Sequence, residues 1–499
     1  MSPGIEIFDT IVVGAGVGGL ATAALLQHRQ AGKRLLVLEA HTRSGGCASA
    51  YDRYIALAEG EAKTRFRLDV GATTLSAIGP GLPVDLLCRE LGITLSAHHM
   101  NPGLRTVLRD GTVVNRYADN GKWKEESARI FGNETIAFWN TIETLAQQAW
   151  SVSAKYTRFP FAGLRDLLAT IPNVRPHDLL LLKALITPLA STLEAHGLSH
   201  HDRFRVFLDE LLMVSLQCKS DSSTLLLSAL GLDYPSNTFY LDGGVYALSM
   251  ALERSIENNG AQIRFKHFVT SIERENKHWK ISCKNGHEFL AHRIVANTTI
   301  WDSTAILKDT RTSSIQKKAE RFSNGIWSAL FLTGIISDTI TEDALYHQLH
   351  TPEGSLFVSI ARRGDKETAP DGYRIFSVSL HEANAERWFA MSDTEYKQQQ
   401  ERYIAFFEEY LSKYIGGYSE AKKIILELGT PRTFEFYTHR KHGWVGGIPH
   451  TRANLPFFWQ PAKTKLENVY LVGDTIFPGQ GIPGVVRGAL NLADRLSPI

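Results

Sequence analysis

The chain has 499 residues, of which 43% are hydrophobic and 21% charged, enough for two or three domains around a substantial core. Its 54 Lys and Arg against 52 Asp and Glu leave a formal charge of +2 with no continuous basic stripe, which argues against a nucleic-acid binder. Cys47, Cys88, Cys218 and Cys283 form no CxxC pair, so neither a disulfide framework nor a zinc site is expected, and a reducing cytoplasm fits best.

The first segment, "MSPGIEIFD", has no basic n-region before an apolar stretch, so no secretory signal is expected. "DTIVVGAG" then reads as a strand, "LATAALLQHRQAG" as a helix and "RLLVLEA" as a second strand, which together make one βαβ unit. Its turn carries Gly14, Gly16, Gly18 and Gly19, with G-x-G-x-x-G between strand and helix as a dinucleotide fingerprint requires. Glu39 closes the second strand just before Ala40, where an acidic side chain takes ribose hydroxyls while pyrophosphate meets the helix N-terminus. The competing use of these glycines is packing alone. "HTRSGGCAS" adds Arg43, Gly45 and Gly46, and "FRLDVGAT" adds Gly71, Ala72 and Thr73 behind an acidic residue. Such extra points of close approach suit FAD better than NAD. Arg43 faces either phosphate or solvent.

From about residue 80 to 230 the pattern is helical, in "PVDLLCRELG", "ETIAFWNTIETLAQQAW", "PHDLLLLKALITPLASTLEAHG" and "DRFRVFLDELLMVSLQC". No apolar run reaches the roughly 18–20 residues of a spanning helix, so membrane contact is expected to be peripheral. Strands return in "QIRFKHFVTSIERENKHWKISCKNGHEFLAHRIVANTT", a meander leading into a parallel strand. "ARRGDKETAPDGYR" reads as a solvated turn. In "FYTHRKHGW", His439 and His442 lack a nearby third ligand, so structural roles are expected and no metal site is assigned. Arg432 and Arg440 are candidates for anchoring the flavin or a polar end group, and no catalytic acid or base is legible.

The chain closes on "ENVYLVGDTIFPGQGIPGVV", a second strand, tight turn and helix start. Gly473 and Asp474 end the strand, so Asp474 is placed to accept hydrogen bonds from a ribityl chain. Gly481, Ile482 and Gly484 bring backbone amides near a flavin ring, and the helix expected from about Pro483 points its positive end at negative charge. A helix cap is the alternative use of Asp474. The expected fold is α/β: a discontinuous Rossmann-like FAD domain from residues 1–80, 231–304 and 436–499, with an α+β substrate domain from 81–230 and 305–435.

With "VVGAGVGGL", "RSGGCAS", "LDVGAT", "VANTTIWD", "GTPRTFEFYTHRKHGWVGGIPH" and "LVGDTIFPGQGI", the chain resembles the FAD-dependent carotenoid oxidoreductases of the phytoene desaturase and carotene isomerase type, above all the carotenoid 3′,4′-desaturase branch. These belong to the amine-oxidase-like, glutathione-reductase-like flavoproteins. The resemblance implies that Val269 meets the adenine, that Asn297 and Gly71 to Thr73 belong to the cofactor site, and that Gly243 and Gly244 shape the return into the nucleotide domain. "YIALAEGEAKTR" and "GIPGVV" depart from the family pattern and put the substrate in doubt.

The implied chemistry is desaturation of an apolar isoprenoid or carotenoid by hydride transfer to flavin, with quinone or oxygen as electron acceptor. Cis–trans isomerisation over reduced FAD is the runner-up. Binding would rest on burial at roughly 25 cal/mol per Å². Helical stretches 178–193 and 204–216 are expected to be core for the most part, with one edge resting on a bilayer. Two other readings are amine oxidation, which lacks its expected lysine in "SNGIWSALFLTG", and a non-enzymatic prenyl-binding escort.

Overall fold

A computed structural model describes residues 5–60, 62–176 and 178–497. Its first sheet is built from distant parts of the chain. Strands Gln262–Arg264, Leu35–Leu38, Glu6–Val13 and Glu288–Ala296 lie side by side in parallel, and Val469–Leu471 joins Glu288–Ala296 in the same sense. His278–Cys283 and Val269–Glu275 extend it antiparallel, so the expected meander does feed a parallel strand. Leu35–Leu38 is buried at every position, as a strand covered on both faces must be. Helix Val17–Arg29 packs between helices Tyr246–Asn258 and Gly481–Leu496, and its Gly18, Gly19, Ala21, Ala23 and Ala24 let the backbones approach closely.

The second sheet runs Lys423–Gly429, Ser328–Ser337, Tyr373–Glu382, Gly354–Ile360, Tyr346–Thr351, Leu104–Val107 and Val113–Arg116, antiparallel except where Tyr346–Thr351 meets Leu104–Val107. Side chains alternate across it with period two. Leu330 and Leu332 pack with Phe407 and Leu411 of helix Asp393–Tyr414, whereas Ala329, Phe331 and Thr333 face a cavity between the two sheets. A third, helical core gathers Trp123, Phe138, Trp139, Phe204 and Phe207. The expected α/β class with a Rossmann-like portion and a second sheet-based portion is the one observed.

Two sequence readings are corrected here. Residues 178–193 are two helices, Asp178–Ile186 and Leu189–Ala195, because Pro188 cannot continue the first and caps the second. His177, within that quoted stretch, and Glu61, within "YIALAEGEAKTR", lie outside the described residues. The 361–374 segment is the expected turn, with Arg363, Lys366 and Asp371 exposed, but it also anchors buried Asp365, which accepts hydrogen bonds from the Tyr240 hydroxyl at 2.6 Å and the Gly243 amide at 2.9 Å. The closing helix starts at Gly481, two residues before Pro483, which takes the first turn where its missing N–H costs nothing.

Candidate flavin site

The first glycine turn is a packing device before it is anything else. Gly14 has φ +96°, and a Cβ added there would lie 2.9 Å from the Asn297 carbonyl oxygen. At Gly16 it would lie 2.7 Å from Asn297 Nδ2, at Gly18 3.0 Å from Asn297 Oδ1, and at Gly19 2.2 Å from the Gly14 carbonyl. Only bare backbone fits around this asparagine. Gly16 caps helix Val17–Arg29 without offering it a side chain, and no acidic residue stands in the first turn. Its donors therefore need an outside partner.

Glu39 reaches back to this turn, where Oε2 accepts from the Ala15 amide at 2.7 Å and Oε1 from the His41 amide at 2.8 Å. Burial raises its pKa above the ordinary carboxylate range, against the pull of those amides. Beside it, Gly45 donates its amide to the Ala15 carbonyl at 2.8 Å. Gly46 (φ +57°) passes so close that its Cβ would be 3.4 Å from Gly16 Cα. Arg43 is not simply solvated: Nη2 donates to Asp52 at 2.8 Å and Nη1 to the Ala50 carbonyl, while the side chain stays on the cavity wall. Gly71 and Ala72 lie against Cys47, whose carbonyl accepts from the Ala72 amide at 2.8 Å, and buried Thr73 accepts from the Tyr346 hydroxyl at 3.3 Å. Burial and the neighbouring Asp365 carboxylate push Asp69 up to about 7.

The last turn faces the same space. Gln480 caps helix Gly481–Leu496 without a side-chain bond to it, its amide donating instead to the Ser215 carbonyl, and the first turn again holds no acid. Gly481 (φ +75°) would meet nothing nearer than Pro483 Cδ at 3.7 Å, while Gly484 is closed by the Gly479 carbonyl at 2.6 Å. Gly473 (φ +127°) brings the strand end within 3.2 Å of Asn297 Oδ1, counted from an added Cβ. Asp474 does not cap the helix: its Oδ2 accepts from Arg440 at 2.7 Å. Burial works against the Arg440 charge, but Asp474, Cys47 and Asp302 together hold its pKa above the ordinary arginine value. Arg432 is used elsewhere, donating to the carbonyls of Trp388 and Met391. His439 and His442 both occupy the left-handed region, His439 against the Phe268 ring and His442 near Glu386 at 3.5 Å.

One cavity of about 1410 Å³ joins these parts. Of the predicted site residues, Gly14, Gly16, Gly18, Glu39, Ala40, Arg43, Gly45, Gly46, Gly71, Ala72, Thr73, Val269, Asn297, Gly473, Asp474, Gly481, Ile482 and Gly484 line it. Gly19 does not, because it sits inside the helix packing against Gly14. The cavity continues past the glycine turns into an apolar hall walled by Ala329, Phe331, Phe357, Leu226 and Leu230. It exceeds the roughly 300–1,000 Å³ of a single-ligand pocket, so it has room for a dinucleotide and a second molecule. Sequence reasoning missed several polar wall residues. Gln217 Oε1, the Tyr234 hydroxyl and both ring nitrogens of His450 are buried without a partner, and His381 looks in from the second sheet. Gln217, Tyr234 and His381 belong to no local motif that marks them, and His450 closes the quoted stretch "GTPRTFEFYTHRKHGWVGGIPH" without a role having been read for it.

The family described as "Flavin containing amine oxidoreductase" matches residues 17–497. The chain belongs to that family. Among curated relatives, the chloroplastic prolycopene isomerase of Daucus carota is 25% identical over 520 residues, 98% of this chain and 80% of the relative. The lycopene-forming phytoene desaturase of Pantoea ananas is 21% identical over 506 residues, 96% of this chain and 97% of its own. Among solved structures, an oxidoreductase from Methanosarcina mazei superposes with TM-score 0.62 at 17% identity, covering 97% and 99% of the two chains.

A flavin cofactor goes with the family, and the residues present fit one. Two helix N-termini without side-chain caps open into a single cavity, the backbone between them is stripped of side chains, and buried polar atoms near the last turn stand without partners.

Proposed function

We propose that this chain is an FAD-dependent oxidoreductase that desaturates a carotenoid or related apolar polyisoprenoid. The observation that carries the reading is the continuity of the cavity from two uncapped helix N-termini into an apolar hall. In this reading Glu39, Ala40 and Val269 hold the adenosine end, while Gly14, Gly16 and Gly18 admit the pyrophosphate to the first helix. Arg43, Gly45, Gly46 and Gly71 to Thr73 line its course, with Asn297 fixing both turns. Gly473, Asp474, Gly481, Ile482 and Gly484 hold the flavin end, and Arg440 keeps the Asp474 carboxylate oriented. The chain divides into an FAD part, 1–80, 231–304 and 436–499, and a substrate part, 81–230 and 305–435.

Bound FAD supplies the hydride acceptor that desaturation needs and that no side chain provides. The protein's share is orientation and exclusion of water. The hall offers a polyene an almost wholly apolar wall, worth roughly 25 cal/mol per Å² removed from water. The amides of the last helix favour negative charge developing at the far end of the cofactor seat. Quinone or oxygen would take up the electrons, and a peripheral place on a membrane would supply both substrate and quinone.

Isomerisation of a polyene is the second reading, favoured by prolycopene isomerases matching over 98–99% of this chain at 24–25% identity. An escort without flavin would leave both helix N-termini and the side-chain-free groove unused. Anaerobic incubation of FAD-loaded protein with candidate carotenoids, with and without quinone, decides between them. Loss of two hydrogens with bleaching of the flavin is the expected result. Unchanged mass with altered double-bond geometry means isomerase, and a folded protein that retains no flavin yet takes up polyene unchanged means escort.

A further inference from the structure

The most exposed aliphatic side chains of the described residues are gathered in one segment, and the exposed aromatic residues Tyr54, Phe436 and Tyr437 lie outside it. Among the described residues, every leucine, isoleucine or valine more than half exposed lies in 164–186: Leu164, Leu168, Ile171, Leu179, Leu180 and Ile186, at 55% to 69%. The segment comprises helix Leu164–Thr170, a single 3-10 turn and helix Asp178–Ile186. Beside it stand Phe457 and Phe458, tied in through the contact of Phe457 with the Phe159 ring at 5.2 Å. Soluble proteins seldom leave so large a contiguous apolar patch facing water without a partner for it.

The patch is also the mouth of the cavity. Leu167, Ile171, Leu179, Leu182 and Phe457 are exposed and at the same time line the cavity wall, so the apolar hall opens through the patch. Its charges are one-sided. The two acidic residues of the segment are turned inward, Asp166 accepting from Arg495 at 2.7 and 3.0 Å and Asp178 from Lys155 at 2.6 Å. Arg165, Arg175 and Lys183 remain exposed around the leucines. Helix Asp202–Leu216, by contrast, turns Phe204, Phe207, Leu208, Leu211 and Leu212 into the core and is not part of this face.

An apolar centre ringed by cations matches the acyl boundary and headgroups of an anionic bilayer. We infer that residues 164–186 with Phe457 and Phe458 dock on such a bilayer and open the cavity directly into its hydrocarbon. A polyene then passes from membrane to hall without crossing water. The docking rests on the patch alone, while the cargo rests on the functional reading above.

The test uses the full-length, flavin-loaded protein and sedimentation with sucrose-loaded vesicles of phosphatidylcholine, with or without phosphatidylglycerol. Tighter binding to the anionic vesicles, weakened by salt, is expected. Leu168→Asp with Leu180→Asp, neither of which lines the cavity, should lower vesicle binding by about tenfold or more while flavin absorbance and melting temperature stay as in the parent. Arg165→Gln, Arg175→Gln and Lys183→Gln together should abolish the preference for phosphatidylglycerol yet leave binding to phosphatidylcholine. Undiminished binding of the Asp pair overturns the proposal. So does a lipid-free dimer that the Asp pair converts to monomer, because the patch would then be covered by a second copy. Polyene turnover in detergent micelles separates the two readings: a parent inactive there fails the functional reading and leaves the sedimentation result to judge docking.

Discussion

At the first glycine turn, added Cβ atoms on Gly14, Gly16 and Gly19 would come within 2.9, 2.7 and 2.2 Å of fixed neighbours, whereas at the last turn Gly481 has 3.7 Å of clearance. The first turn is closed by its own packing on Asn297, and its carboxylate, Glu39, spends both oxygens on backbone amides. The last turn is held from outside, by Arg440 on Asp474, by Gln480 on Ser215 and by the His450 ring against Gly479. Similar sequences thus reach similar shapes with a different emphasis. Both turns contain glycines with no room for a side chain, Gly484 among them with an added Cβ at 2.6 Å from the Gly479 carbonyl, but Gly481 is open and the last turn adds an ion pair and further side-chain partners to hold it.

Acid has the largest expected effect, and at the last turn it acts through His450. Burial depresses His450 from its ordinary 6.5 to about 4, with His381 and His350 of the second sheet also near 4 and His347 near 3. At these histidines the unfolded chain binds more protons than the folded one. Their contribution to stability is full above pH 6.5 and drains as pH falls toward about 4, by up to about 3 kcal/mol each, while the raised carboxyls of Glu39 and Asp69 slope the opposite way. Melting temperatures across that window should drop, and His450→Phe should flatten the drop.

Arg440→Leu comes next. It leaves Asp474 largely buried without its partner, at a cost of about 3 kcal/mol, and should weaken flavin retention, while Arg440→Lys restores part of both. Flavin-to-protein absorbance ratio and thermal melts measure this. Gly19→Ala forces a methyl into the Gly14 carbonyl, costing about 1–3 kcal/mol and displacing the first turn, read as loss of bound flavin. Gly481→Ala should be the mildest. It meets no steric wall, only the roughly 1 kcal/mol penalty of a positive φ, and flavin content should be close to that of the parent. If Gly481→Ala proved as damaging as Gly19→Ala, the distinction between the turns would be wrong.

The same contrast explains what could be read from the sequence. Gly14, Gly16, Glu39 and Gly473 were legible because each belongs to a local strand–turn–helix pattern whose spacing is physical. Asn297 came only through the resemblance, and it turns out to be the residue around which the first turn is packed. The Arg440–Asp474 pair, 34 residues apart, and the Gln480–Ser215 contact, 265 apart, leave no periodic trace. Of residues 164–186 only the part from 178 was read, as mostly core with one edge on a bilayer, and the extent of its exposure was hidden for a different reason. Apolar spacing announces a helix face but not what covers it, and here, in the chain alone, nothing does. Residues 361–374 were legible as a solvated turn, and what the pattern did not show is that such a stretch can still bury one carboxylate, Asp365, when Tyr240 and Gly243 offer it hydrogen bonds.

Asn297 touches both ends of the story: its carbonyl, amide nitrogen and amide oxygen crowd Gly14, Gly16 and Gly18, and the amide oxygen also abuts Gly473. During synthesis, therefore, the seat for the cofactor stays a half-built socket until the segment around Gly473 has left the ribosome. Pigment can be locked in only once that segment has emerged, and a chain cut short before it should be without colour.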